Sequence, residues 1–211
     1  MDGYVVTIAR GYGSGGSHIA HKLCNELGIK YFDSEILDRA AEMSSINEHY
    51  FYEANEKIKK GVLSLNTRKG HYTGNLYSAD DKQYLSNENL FNYQAKVIKE
   101  IALGKKESCV IIGKAANRII GSLKNVVSVN IQAPLPYCIN NISERLMVNK
   151  NEAKELILKT DQYRMDYYKY YTGGKWDDPK EYNLSINTAD CGEDYAVKII
   201  IDYLKHKNVI S

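Results

Sequence analysis

Two kinds of apolar run alternate along the chain. Short, nearly unbroken runs occur at "YVVTIA" (4–9), "IKYF" (29–32), "SCVIIG" (108–113), "NVVSVNIQA" (125–133) and "EYNLSINT" (181–188). Their length and β-branched content predict strands buried on both faces, as in a parallel sheet. Between them, apolar residues recur at helical spacing. Ile19, Leu23 and Leu27, with Ala20 and Cys24 on the same face, predict a helix stopped by Gly28. A second helix runs through "EILDRAAEM", capped by Asp33 or Ser34, and residues 47–60 read as a third. From 61 to 86 the chain turns polar with little periodicity, which predicts a loop or excursion. "NENLFNYQAKVIKEIAL" is helical up to Gly104, and "KAANRIIGSL" is a short helix. Pro134 and Pro136 open a helix carrying Ile139, Ile142 and Leu146. Further helices cover about 151–170 and 192–206.

Strands alternating with helices make an α/β fold, a parallel sheet covered on both faces. Ligands on such sheets sit at the carboxyl ends of the strands. That edge collects residues 10–17 after the first strand, Asp33 after the second and residues 113–117 after the third. Three polar clusters are therefore expected to converge on one cleft.

The first cluster, "RGYGSGGS", joins a strand to a helix through four glycines. Such a turn exposes backbone N–H groups at the positive end of a helix dipole, a setting that suits phosphate oxygens. Glycines allow close approach and positive φ. The usual phosphate loop, G-x-x-x-x-G-K-[ST], fits in two registers. With Gly11 and Gly16 as the flanking glycines, Ser17 falls at the lysine. With the strand end as reference, Arg10 takes the first glycine's place, Gly15 the second, Gly16 the lysine's and Ser17 that of the Mg²⁺-binding hydroxyl. The second register suits the strand boundary better. Neither contains a lysine. The dinucleotide fingerprint G-x-G-x-x-G is matched by Gly11, Gly13 and Gly16, but only Asp33 approximates the acid it needs.

Composition narrows the classes. Twenty-eight basic against 26 acidic side chains leave a net charge of +2 over 211 residues, which argues against a dedicated nucleic-acid binder. Cys24, Cys109, Cys138 and Cys191 share no metal-ligand spacing and read as buried thiols. The first residues show no secretory pattern and no run of ~18 apolar residues appears, so a cytoplasmic protein is expected. Several of the 18 tyrosines cluster in "DYYKYYTGGKW" (166–176), where packing is the first expectation and base stacking the second.

The chain resembles the cytidylate kinase-like family of P-loop kinases. The resemblance rests on "TIARGYGSGGSHIAHKL", "LGIKYFDSEIL", "VIIGKAANRII" and "KTDQYRMDYYKYYTGGKWDDPKEYNLSIN". It implies a three-layer P-loop NTPase fold with five parallel strands in the order 2-3-1-4-5. One domain would span 1–211, with an acceptor-binding excursion over about 34–103 and a helical lid over about 145–180. It implies ATP and Mg²⁺ as cofactors, nucleotides as partners, and no nucleic acid or membrane. A monomer or small homo-oligomer is expected. Gly11, Gly13, Ser14, Gly15, Gly16 and Ser17 would bind the donor, with Ser17 on the metal. Asp33, Arg39 and Lys114 would contact the acceptor. Here Lys114 stands where the family carries an arginine, and Ala115 where it carries an acid. Lys159, Asp161 and Arg164 would come from the lid. Arg10 is the first candidate to replace the lysine's charge and Arg164 the second. A lysine restored through Gly16→Lys should then recover activity lost in Arg10→Ala. Three functions fit this pattern: a kinase for a nucleoside monophosphate such as CMP or dCMP, a kinase for another small acceptor, and a non-catalytic nucleotide-binding protein.

Overall fold

A computed structural model describes residues 3–59, 74–104 and 107–210. Five strands, β1 (Val5–Arg10), β2 (Lys30–Phe32), β3 (Cys109–Ile112), β4 (Val126–Gln132) and β5 (Leu184–Asn187), form one sheet. All pairings are parallel, in the order β2-β3-β1-β4-β5. This is the implied P-loop topology. Its central strand is buried on both sides, as the unbroken apolar run required. Val6 and Ile8 face helices α1 (Gly16–Leu27) and α9 (Glu193–His206), whose Ile19, Leu23, Ile200 and Leu204 are fully buried there. Burying each such side chain stabilises by about 1.5–3 kcal/mol.

The opposite face is covered by α2 (Glu35–Ser44), α3 (Glu48–Lys59), α4 (Asn87–Leu103) and α5 (Ala116–Ile120). Ser86 caps α4, its hydroxyl accepting from Asn89 N at 3.2 Å. The excursion over 34–103 thus contributes α2, α3 and α4 to the main core, while part of the loop expected over 61–86 lies outside the described residues. Residues 74–86 form turns without helix or strand.

The segment over 145–180 is dominated by α7 (Lys150–Thr172), which follows α6 (Leu135–Leu146). Asn149 and Glu152 start α7 with a reciprocal capping box. Ala153 and Ile157 pack on Cys138 and Ile142 of α6. About four turns on, Tyr171 stacks on Phe91 of α4, ring centroids 4.0 Å apart. The tyrosine cluster is therefore mostly packing, with Trp176 and Tyr182 in the same buried group. Fixed at both ends, α7 carries its middle turns across the carboxyl edge of the sheet. The last expected helix, 192–206, is α9; a short α8 (Thr188–Cys191) precedes it, and Gly192 at φ +74° parts the two. The four cysteines are free thiols, Cys191 only half-buried.

Candidate active site

The glycine loop is held rigid from within. Gly11 N donates to Ile131 O at 2.9 Å, continuing the sheet ladder past β1. Ser14 is fully buried and its hydroxyl donates to Gly11 O at 2.8 Å, with Ile131 O at 3.1 Å. Asn141 donates to Gly13 O at 2.9 Å, and Thr188 to Ser14 O at 2.7 Å. With these carbonyls tied inward and Gly13 and Gly15 at φ +87° and +81°, the amides turn the other way. No protein acceptor, among the described residues, meets the N–H groups of Gly13, Gly15, Ser17 or His18. They form a cradle at the start of α1, suited to an anion. Ser14 is the exception among the expected donor contacts. Its side chain braces the loop and lines neither of the two cavities described below.

Helix α1 begins at Gly16, as the strand-end register requires, so Gly16 occupies the lysine's position. Its side-chain space belongs to Arg10. A Cβ at residue 16 would collide with Arg10 Cβ and lie 3.1 Å from Arg10 Cγ and 3.3 Å from Ile131 Cβ. The expected rescue through Gly16→Lys is therefore corrected: the obstructing atom is a Cβ, which cannot swing aside and which Arg10→Ala retains.

Arg10 crosses Gly16 toward the ends of β2 and β3. Its guanidinium lies 3.9 Å from Asp33, and a Cβ on Gly113 would stand 2.7 Å from Arg10 Nη1. Burial pulls the Arg10 pKa down, and Asp33 opposes that. Asp33 does not cap α2: Ser34 holds the cap position, and the Asp33 carboxylate instead lies 3.5 Å from Tyr31 OH. Gly113, Lys114 and Ala115 are all left-handed, at φ +66°, +52° and +53°. Two non-glycine residues in that region cost about 1–2 kcal/mol each, and such strain clusters at functional sites. The turn leaves Lys114 half-buried, and its ammonium forms no ion pair among the described residues. Burial lowers its pKa, Asp33 opposes, and Arg10 adds to the lowering.

From α7, residues Asp161 and Arg164 meet the loop. Asp161 accepts from Tyr12 N at 2.9 Å and from Arg164 at 3.0 Å. Arg164 also donates to Arg10 O at 2.8 Å. Burial raises the Asp161 pKa despite both partners, and lowers that of Arg164 to about 10. Arg145 and Arg164 flank the Tyr12 ring at 5.4 and 5.7 Å.

Two cavities result. An inner one of about 290 Å³ is lined by Arg10, Asp33, Lys114 and Arg164, with aromatic walls from Tyr163, Tyr167, Tyr168 and Trp176. Three cations face one carboxylate there. A loop cavity of about 840 Å³ is lined by the glycine loop, Ser17, Tyr137, Asn141, Arg145 and Glu193. The two share Arg10 and Arg164 and no other residue.

Two expected site residues lie elsewhere. Arg39 is exposed with its guanidinium 4.8 Å over the Phe32 ring, because α2 turns Ile36, Leu37 and Ala40 inward instead. Lys159 is exposed, two positions from Asp161 and so on another side of α7. Glu193, Asn141 and Tyr12 escaped sequence reasoning. Glu193 abuts Gly15, accepting from His18 at 2.8 Å, with Lys22 at 3.6 Å. Nothing in the sequence around Glu193 signals its nearness to the loop.

The cytidylate kinase-like family model matches residues 5–190. The chain belongs to the cytidylate kinase-like family. Among solved structures, an uncharacterized protein from Eubacterium ventriosum ATCC 27560 superposes with a TM-score of 0.70 at 23% identity, over 96% of this chain and 98% of that one. TT1252 from Thermus thermophilus gives 0.54 at 16% identity, over 97% and 99%. These likenesses describe the fold. No curated protein matches the chain. By family and fold this member is a P-loop kinase. Among its described residues, no helix is long and apolar enough to cross a membrane.

Proposed function

We propose that the chain catalyses ATP-dependent phosphoryl transfer to a nucleoside monophosphate, CMP or dCMP being the family's first candidates. The donor triphosphate lies in the loop cavity, its phosphates on the amides of Gly13, Gly15, Ser17 and His18. The acceptor lies in the inner cavity, its phosphate on Lys114 and its base among the aromatic walls. The observation that carries this reading is the sharing of Arg10 and Arg164, both cations, between otherwise separate cavities. A phosphoryl group passing between two sites carries charge at their junction, where oriented cations stabilise the transition state. Arg10 thereby takes over the missing lysine's charge from the opposite side of the loop, and Asp161 positions Arg164.

Mg²⁺ fits this site on one condition. Among the described residues no three His, Cys, Asp or Glu side chains make a metal cage, so the ion must be held by donor phosphates and water. Ser17, exposed in the loop cavity, supplies the one protein hydroxyl such a site uses. Bound there, the ion neutralises charge on the donor phosphates.

A coupled assay of ADP formation with CMP, dCMP, UMP and AMP tests the proposal. Acceptor-dependent turnover is expected with at least one. ATP binding without turnover on any acceptor would overturn it and leave nucleotide binding as the function.

A further inference from the structure

Among the described residues, four buried side-chain polar atoms meet no hydrogen-bond partner: Thr7 Oγ1, Arg10 Nε, Gln94 Oε1 and Tyr167 OH. Buried polar groups are nearly always paired, and an unpaired one is costly. Three of these four belong to residues that line the inner cavity. We propose that Thr7 and Tyr167 determine acceptor specificity, their hydroxyls reserved for an uncharged hydrogen-bonding edge of the acceptor. This rests on the reading of the inner cavity as the acceptor site.

Packing does not account for either hydroxyl. Thr7 sits in mid-β1 at 2% exposure, paired in register with Ile111 and Ser128. Ser128 has its polar needs met: Asn183 accepts from its hydroxyl at 3.0 Å and donates back at 3.0 Å. Thr7 has no such partner, and valine would fill the same volume. Tyr167 packs edge-on to Phe91, centroids 6.1 Å apart, and tilted against Tyr171 at 4.8 Å. A phenylalanine ring meets both contacts. Neighbouring tyrosines do place their hydroxyls: Tyr168 bonds Asn117 and Glu181, Tyr170 bonds Glu88, and Tyr182 bonds Trp176 O. Tyr167 stands apart from them.

The chemistry of the missing partner follows. Both hydroxyls donate and accept, and burial keeps the Tyr167 phenol neutral by raising its pKa well above the ordinary value. Arg10 Nε adds a donor. The matching group is uncharged and offers both donors and acceptors, as does the amide-like edge of a pyrimidine or a pair of sugar hydroxyls. The acceptor's anionic end belongs with Lys114, Arg10 and Arg164. A cavity of about 290 Å³ is at the small end for ligand sites, consistent with a single ring carrying such an edge.

The test uses Thr7→Val and Tyr167→Phe, which delete one oxygen each. Melting temperature is measured without ligand. Affinities are measured for CMP, UMP, ribose 5-phosphate, inorganic phosphate and ATP. Removing an unpaired hydroxyl should leave the melting temperature unchanged or raise it. Each variant should bind the preferred acceptor probe about tenfold more weakly or worse, with affinity for ATP and inorganic phosphate unchanged. Loss confined to CMP and UMP identifies a base edge, and equal loss with ribose 5-phosphate identifies sugar hydroxyls. A lower melting temperature in either variant would show that the hydroxyl serves the fold and overturn the proposal. Wild-type affinity for every probe in both variants would also overturn it, water then being the hydroxyls' partner. Probes that bind through Thr7 and Tyr167 but are never phosphorylated would sink the kinase reading and leave this one standing. A wild-type protein that binds no acceptor probe would sink both.

Discussion

The contact between Arg10 and Gly16 allows the missing lysine to be tested by a double-mutant cycle. A Cβ on residue 16 meets Arg10 Cβ inside van der Waals contact, with Arg10 Cγ at 3.1 Å and Ile131 Cβ at 3.3 Å. Overpacking of this kind costs about 1–3 kcal/mol, which for a chain of this size is a fall in melting temperature of roughly 2–12 °C. Gly16→Ala should show that fall. Because Arg10→Ala keeps the offending Cβ, Arg10→Ala/Gly16→Ala should show most of it again. Arg10→Gly/Gly16→Ala removes the obstacle and should recover stability, less about 0.5–1 kcal/mol for a glycine at a strand end. Catalysis supplies the second axis. Arg10→Ala should lower kcat roughly a hundredfold to a thousandfold while the KM for ATP moves little, since the contact strengthens in the transition state. Adding Gly16→Lys to Arg10→Ala should not restore the rate, whereas Arg10→Gly/Gly16→Lys should restore part of it. Differential scanning calorimetry and initial rates on six variants complete the cycle. An Arg10→Ala/Gly16→Lys protein as stable as Arg10→Ala, and faster, would refute the packing argument. A full-rate Arg10→Ala protein would refute the catalytic one.

Other substitutions test the remaining parts of the site. Lys114→Met should raise the stability of the free protein at pH 7 by about 0.5–2 kcal/mol, by removing a half-buried charge with no ion pair, and abolish acceptor-phosphate binding. In the window below the ordinary lysine value of 10.5, the unfolded chain holds a proton that folded Lys114 binds less well. Wild-type stability should therefore rise with pH relative to Lys114→Met, and the gap measured by urea denaturation should narrow as pH is raised toward 10.5. A constant gap would mean Lys114 keeps its proton throughout. Asp161→Asn removes the Arg164 ion pair but keeps an acceptor for Tyr12 N, and should cost about 1.5–3 kcal/mol with the KM for both substrates raised; a rise for one alone would confine Asp161 to that cavity. Arg39→Ala and Lys159→Ala, both outside the cavities, should stay within ~0.5 kcal/mol of wild type, and a large activity loss in either would place it at the site in a state other than this one.

Much of the fold was legible because it depends on local patterns. Largely apolar runs of four to nine residues marked every strand, and Gly28, Gly104, Pro134 and Pro136 marked helix ends. The convergence of Arg10, Asp33 and Lys114 followed from strand-end logic, which needs only the order of elements. Side-chain direction was less accessible. Arg39 and Lys159 have the right residue type on the right helices, but helix phase turns them away, and phase depends on tertiary packing. Ser14 looked like a ligand contact because hydroxyls are common in phosphate loops; its burial against Gly11 and Ile131 depends on β4, more than a hundred residues away. Glu193 was invisible for the same reason. Thr7 was the visible clue left unread, the one polar residue inside "VVTIA".

The lysine's absence and the arginine's presence are one structural fact. A lysine on the first turn of α1 needs a Cβ at residue 16 and free space above it, and Arg10 on the last position of β1 fills that space with its own stem. The two arrangements exclude each other sterically, so a charge placed by Arg10 cannot be added to one placed by a lysine. They also differ in reach. A lysine at residue 16 belongs to the loop cavity, whereas Arg10 spans from Gly16 to Gly113 and Asp33 and lines both cavities. Its charge is therefore shared with the acceptor side, beside Lys114. Binding of an anionic acceptor would offset the desolvation and the Arg10 repulsion that lower the Lys114 pKa and would draw Arg10 from Asp33, 3.9 Å away, onto the phosphate. On this reasoning donor and acceptor should bind cooperatively through Arg10. A thermodynamic box of ATP and acceptor affinities, each measured with and without the other, should show coupling in wild type and lose it in Arg10→Ala. Equal coupling in both proteins would show that the two cavities communicate through Arg164 and α7 instead.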